Sequence, residues 1–290
     1  MLDSPDIKHL ILDIDGIIVG EKVGYNAPSP HPDVLRALQE VRAGGISVSL
    51  CTAKPHYSIR DIIEGASLDN PHITDAGAVI IDPIDDVVVE QHVLPKDLAG
   101  AVMKLCLDNR VYVEFYTVDD YFIQQDQVSY ITPKHTQVLQ RNPVVVDSLL
   151  TSAAQQAVTK VMPIAEDERD KERIRTLLEA FRGRVSLGWG VHPVALPLQY
   201  GIVTAPGSSK QAGAAAVLQS LNGSFENTLG VGDSTSDWGF IERCGYAATL
   251  KNGTEELKEL VRSKGEGKSY IGPSVDENGI LDILSHFPVL

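Results

Sequence analysis

Polar and apolar positions along this chain fall into a repeating order. A short apolar run ends at a carboxylate or hydroxyl, and an amphipathic stretch follows it. Residues 9–12 predict a buried strand, and 32–43 predict a helix with Val34, Leu38 and Val41 on one face and Gly44-Gly45 as its stop. Residues 46–51 predict the next strand. Pro55 suits the first turn of a helix reaching about Gly65, since its missing N–H would be unpaired there anyway. Residues 78–81 are short and apolar, like a further strand. This βαβ alternation predicts a parallel sheet.

After Asp82-Pro83 the texture changes. Residues 87–93, 111–116 and 121–123 read as strands, and 95–107 as a helix with Leu98, Val102 and Leu105 in phase. A second round follows, with strand 158–164, a charged helix over 166–181 and strand 185–187. Two such rounds predict an inserted α+β domain of about 120 residues. We set it at residues 84–204, between core segments 1–83 and 205–290. From Ser208 the first texture returns: a helix to about Leu221, strand 228–231, a helix over 235–243, strand 247–250 and a last core helix over 254–263.

Composition narrows the function. The 290 residues are 43% hydrophobic and 22% charged, as in an ordinary globular chain, and the length favours about two domains. A net charge of −14 argues against nucleic-acid or anionic-membrane surfaces. An anionic ligand would need a local device such as a metal ion, a lysine or a helix N-terminus. Cys51, Cys106 and Cys244 show no metal spacing and read as buried thiols of a reducing compartment. The acidic start, residues 1–6, lacks the apolar core of a secretory leader, and no apolar run reaches a membrane span, so the cytoplasm is expected.

Four motifs punctuate the core segments and none lies in the insertion. Asp13-Ile14-Asp15-Gly16 follows the first strand, Thr52 follows the second, Lys210 follows Gly207-Ser208-Ser209, and Gly232-Asp233-Ser234-Thr235-Ser236-Asp237 follows strand 228–231. Ligands of open α/β sheets lie where strands run out into loops. Two aspartates one residue apart raise one pKa or need a cation between them, which fits one metal-bound nucleophile and one proton-exchanging acid. Asp233 and Asp13, if they meet, make a hard oxygen site suited to Mg²⁺. Each has a plainer reading as well. A strand-end aspartate can be a turn residue, Thr52 can cap a helix, and Ser234 to Asp237 matches an N-terminal capping pattern. Lys210 stands in a first helical turn, where the dipole disfavours a cation by roughly 0.3–1 kcal/mol, so it is better explained facing an anion. Each carboxylate roughly 4 Å from a phosphate charge repels it by about 4 kcal/mol at an effective dielectric near 20, so a divalent cation plus Lys210 is needed to reverse the balance.

With these motifs in this order the chain resembles the haloacid dehalogenase (HAD) superfamily, in particular its Cof-like phosphatases with a type IIB cap. The resemblance implies an α/β fold: a Rossmann-like parallel-sheet core with an inserted α+β cap of two αββ-type units. It implies Asp13 as the nucleophile that forms an aspartyl-phosphate and Asp15 as general acid/base. It further implies Mg²⁺ held by Asp13, a backbone carbonyl of Asp15, and Asp233, with Asp237 supporting the metal site and Thr52 and Lys210 binding the phosphoryl group. The chain departs from the usual pattern at Asp15-Gly16-Ile17, at Thr52-Ala53-Lys54 and at Asp75-Ala76-Gly77-Ala78. Ala53, Lys54 and Asp75 line the approach in such folds, so substrate choice can differ.

The implied activity is Mg²⁺-dependent hydrolysis of a small phosphorylated metabolite, with sugar phosphates first and phosphorylated hydroxyacids second. A phosphosugar mutase of the same fold would use the same residues. A non-catalytic binding protein would be expected to have lost an aspartate of the first or fourth motif, and none is lost here. For specificity, a closing cap would offer Arg184, Trp189 and His192, although Arg184 also reads as a solvated charge and Trp189 as cap core.

Overall fold

The computed structural model describes residues 6–84 and 87–289; residues 1–5, on which the leader reading mainly rests, lie outside the described ones. The first stretch holds β1 (His9–Leu12), α1 (Pro32–Ala43), β2 (Ser47–Leu50) and α2 (Arg60–Gly65). Three short strands follow: β3 (His72–Thr74), β4 (Val79–Asp82) and β5 (Val87–Gln91). The middle of the chain runs α3 (Lys96–Asp108), β6 (Tyr112–Tyr116), β7 (Tyr121–Gln124), α4 (Ile131–Leu139), β8 (Val144–Val146) and α5 (Leu149–Ala153). It continues through β9 (Lys160–Ala165), α6 (Glu168–Leu178), β10 (Ser186–Val191) and β11 (Gln199–Thr204). The last stretch holds α7 (Lys210–Ser220), β12 (Thr228–Val231), α8 (Thr235–Ile241), β13 (Tyr246–Leu250), α9 (Glu255–Arg262), β14 (Ser269–Gly272) and α10 (Gly279–His286).

Strand β1 is apolar from Leu10 to Leu12 because both of its faces are covered there. It lies inside a five-stranded parallel sheet of order β14-β13-β12-β1-β2. Leu10 and Leu12 pack with Val34, Leu38 and Val41 of α1 and with Ile280, Ile283 and Leu284 of α10. Ile11 points the other way, onto Ala214 and Val217 of α7 and Phe240 of α8. Each such fully buried aliphatic side chain stabilises the fold by about 1.5–3 kcal/mol. Neighbours of β1 come from opposite ends of the chain, β2 on one side and β12 on the other, so the strand order switches at β1.

A separate six-stranded sheet, of order β10-β11-β9-β6-β7-β8, is antiparallel except for the parallel pair β7–β8. Two αββ units, α3-β6-β7 and α6-β10-β11, flank α4-β8-α5-β9 in the chain. Phe115, Phe122, Val161 and Val203 face α3, α5 and α6. Tyr112, Tyr121, Met162 and Tyr200 face α4 on the opposite side.

Several expectations need correction. The strand near residues 78–81 is β4, and it runs antiparallel to β3 instead of extending the parallel sheet. The cause is the turn between them: Asp75 (φ 49°), Ala76 (φ 55°) and Gly77 (φ 92°) reverse the chain within a few residues and leave no room for a crossover helix. Strand β5, expected with the inserted domain, pairs with β4 in a three-stranded sheet. The helix from Pro55 is two pieces, a 3-10 turn over His56–Ser58 and then α2, separated by the non-helical Ile59 (φ −119°). Helix α9 is not the last of the core, since β14 and α10 follow it. Strand β10 extends from Ser186 to Val191, well beyond the expected 185–187.

Candidate active site

The sheet ladders carry straight into the site. The Asp13 N–H donates to the Val231 carbonyl and the Cys51 N–H to the Leu12 carbonyl, each at 2.9 Å. The loops after β1, β2 and β12 therefore leave the same edge of the sheet, at its switch point.

Three carboxylates converge there. Oxygens of Asp13, Asp233 and Asp237 all lie within 4.8 Å of one another. Lys210, in the first turn of α7, places Nζ 3.0 Å from Asp13 Oδ2 and 2.6 Å from Asp237 Oδ1. It thus faces anions, which resolves its position against the helix dipole. Asp237 serves both readings of its motif. One oxygen accepts the Asp233 and Ser234 N–H groups, as a capping residue does, and the other meets Lys210. Close approach is enforced at Gly16 (φ +80°), where an added Cβ would stand 2.3 Å from Asp233 Oδ2.

Asp15 belongs to a different group. Its Oδ1 lies 2.7 Å from Lys54 Nζ and 3.2 Å from His192 Nε2, so its carboxylate is outside the cluster of three. Thr52 is buried; its Oγ1 accepts the Lys54 N–H at 3.1 Å, while its own N–H donates to the Ile73 carbonyl. Lys54 is therefore set by its backbone as well as by its charge.

The electrostatics separate the two aspartates of the first motif. Burial pushes the Asp13 carboxyl well above its ordinary value; Lys210 offsets this only in part, and Asp237, Asp233 and Asp15 add repulsion. Asp233 is pushed up to about 7, first by burial and then by Asp237. For Asp15 burial acts in the same direction, but Lys54 and His192 outweigh it and hold the group well below the usual carboxylate range. Without a further cation the cluster of three favours a proton; a hard divalent ion among the three oxygens would replace it.

The chain matches the family described as haloacid dehalogenase-like hydrolase over residues 10–284. It belongs to that family. The Bacillus subtilis protein named Phosphatase YwpJ is 21% identical over 298 residues, covering 97% of this chain and 99% of the relative. Among solved structures, the HAD subclass IIB sugar phosphatase BT4131 superposes with a TM-score of 0.77 at 19% identity, covering 98% of this chain and 100% of the other. A haloacid dehalogenase-like hydrolase from Bacteroides thetaiotaomicron gives 0.78 at 17% identity, covering 96% and 98%. At these identities the superpositions show the shared fold. No helix of the described residues is long and apolar enough to cross a membrane.

The expected specificity residues part company. His192 reaches the site through Asp15, and its Nδ1 is buried without a partner. Arg184 is exposed over the Phe181 ring, 5.9 Å from its centroid. Trp189 packs into the apolar cluster beneath α3 and α6. Among residues not singled out for the site, Asn252 donates to the Gly16 carbonyl and accepts the Val275 N–H, both at 2.8 Å, and so ties the first motif to a loop near the end of the sheet. Its signal was available, since it is a polar residue just past the apolar strand β13. Lys160 and Asp75 pair at 2.7 Å with both side chains fully buried. Lys160 gave no signal, because a lone lysine in an apolar strand resembles an edge residue; Asp75, expected to line the approach, is instead fully buried.

Proposed function

We propose that the chain is a Mg²⁺-dependent phosphatase that hydrolyses a small phosphorylated metabolite, with a sugar phosphate the first choice. The observation that carries this reading is the division of the first motif: Asp13 lies with Lys210 and two further carboxylates, while Asp15 turns away to Lys54 and His192. One carboxylate is thereby set for attack and the other for proton exchange. Membership among the haloacid dehalogenase-like hydrolases supports the reaction class, and the phosphatase names of its relatives support the ester.

In this reading an Asp13 oxygen attacks phosphorus and the bond to the substrate oxygen breaks, leaving an aspartyl-phosphate. Asp15 gives its proton to the departing alkoxide, then takes one from the water that hydrolyses the acyl phosphate. The Lys54 pairing holds Asp15 ionised, which suits the second step. For the first, an anionic substrate competing for Lys54 would release the carboxylate to carry a proton. Lys210 and Thr52 hold the phosphoryl oxygens. Asp13, Asp233 and the Asp15 carbonyl would hold Mg²⁺, with Asp237 orienting Asp233 through its backbone; the ion supplies charge neutralisation at the phosphoryl group. Residues 84–204 would act as a cap over the core formed by 1–83 and 205–290, with His192 its contact to the acid/base.

A panel of phosphorylated metabolites, plus p-nitrophenyl phosphate, assayed for phosphate release with Mg²⁺ and with EDTA tests the reading. Metal-dependent release from at least one ester is expected. No release from any of them, or full release in EDTA, overturns it.

A further inference from the structure

Among the described residues one lysine, Lys160, is completely buried, and it belongs to the six-stranded sheet while its partners belong to the core. Lys160 Nζ donates to the Ala53 carbonyl at 2.9 Å and lies 2.7 Å from Asp75 Oδ1. It also stands 4.0 Å from the centroid of the Tyr116 ring. The carbonyl, the carboxylate and the ring face surround the ammonium with negative potential. Neither oxygen of Asp75 has a hydrogen-bond partner among the described residues, so the carboxylate depends on its ion pair with this lysine. A buried charge is tolerated only when so paired.

The core residues it grips are those that place Lys54. The Asp75 N–H donates to the Lys54 carbonyl at 3.0 Å, and the Lys54 N–H to Thr52 Oγ1 at 3.1 Å. Residues 53–54 are thus held from three sides, with the Lys54 ammonium delivered to Asp15 at 2.7 Å. The turn that carries Asp75 is left-handed at two non-glycine residues and abuts the Ser209 carbonyl at Gly77, where an added Cβ would come within 2.1 Å. Such a turn persists only where its surroundings enforce it. On the other side, the Tyr116 hydroxyl donates to Glu114 Oε2 at 2.7 Å, and Glu114 Oε1 meets His135 Nδ1 at 2.9 Å, so the lysine stands on a fixed base.

We propose that Lys160 is a positioning residue for proton transfer: from the six-stranded sheet it clamps Ala53 and Asp75, and through them it holds Lys54 against Asp15. Lys160 touches no reacting atom. The kinetic consequence rests on the phosphatase reading above, and the structural consequence does not.

Lys160→Met alone leaves Asp75 charged and unpaired, so the decisive variant is the double change Lys160→Met with Asp75→Asn, which removes both charges. Two readouts are taken on the folded double variant. Hydrogen exchange at the Lys54 and Asp75 amides should accelerate at least about tenfold relative to amides of β12. The kcat for an alkyl phosphate should fall at least about tenfold, a fraction of what a positioned acid supplies, while p-nitrophenyl phosphate, whose leaving group needs little protonation, is largely spared. Unchanged exchange, or an alkyl-to-aryl ratio equal to that of the native protein, overturns the proposal. Should the native protein release phosphate from no ester, the phosphatase reading fails on its own, and the exchange experiment still decides whether Lys160 clamps the loop.

Discussion

The five-stranded and six-stranded sheets both carry buried ionisable groups, but in opposite places. In the first, Asp13, Thr52 and Asp233 stand just past the ends of β1, β2 and β12. In the second, Glu114 and Lys160 lie within β6 and β9 themselves, fully buried. Inside strands, each charge is answered: His135 and Tyr116 face Glu114, and from the core Asp75 and the Ala53 carbonyl face Lys160. At strand ends the carboxylates outnumber the cation beside them. A group whose partners are complete holds the structure in place, whereas a cluster short of positive charge is ready for a ligand.

The largest test of that contrast is at Asp13. Asp13→Asn removes the attacking oxygen anion with little change of shape, and phosphate release should fall by about 10³-fold or more while circular dichroism is unchanged. Near-native turnover would mean that the strand-end cluster is not the reacting group.

A second test asks whether the cluster lacks a cation. Asp13 and Asp233 are raised above their ordinary value of 3.8, Asp233 to about 7, so the metal-free fold keeps protons that the unfolded chain has lost. Their contribution to stability is complete below about pH 4 and is lost as pH rises, for Asp233 through about 7. Asp15 has the opposite sign, and its contribution is lost only in acid below its ordinary value. In EDTA the Tm should therefore be lower at about pH 8 than at about pH 5, and Mg²⁺ should raise it more at the higher pH. A metal-free Tm that climbs across this range would contradict the assignment.

A smaller effect is expected inside the second sheet. Tyr116→Phe keeps the ring under Lys160 but deprives the buried Glu114 of a donor, which should cost about 1–3 kcal/mol in chemical denaturation. No loss would mean that Glu114 finds its partners elsewhere. The smallest effect is at Arg184. Arg184→Ala should change stability by no more than about 0.5 kcal/mol and leave the ranking of phosphate esters unaltered; a changed ranking would give this exposed position a part in selection.

The same contrast explains how much could be read from the chain. Asp13, Thr52, Lys210 and Asp233 stood out in the sequence because each ends an apolar run or opens a helix, although a turn or cap could also place a polar residue there. Strands β1 and β12 were legible as continuous apolar blocks. Helix α4 was not, since Thr132, Pro133, Lys134 and His135 hide its period and His135 is buried by pairing rather than by apolarity. The role of Lys160 lies in contacts to residues remote in sequence, Ala53 and Asp75, which no local pattern records. The antiparallel turn at Asp75 escaped for another reason: left-handed backbone at Asp75 and Ala76 is held by tertiary contacts and is not announced by the residue type.

Register in the central sheet sets His9 beside Thr228, while every strand of the other sheet comes from the single stretch between Tyr112 and Thr204. During synthesis, then, all six strands of that sheet have been made before β12, the second partner of β1, exists. Of the strand pairings described, β1–β12 closes across the longest stretch of chain, a loop-closure cost that grows only slowly with length. If the six-stranded sheet forms as it emerges, that loop is already folded and short in space when Thr228 arrives, and the order of translation favours the assembly of the site.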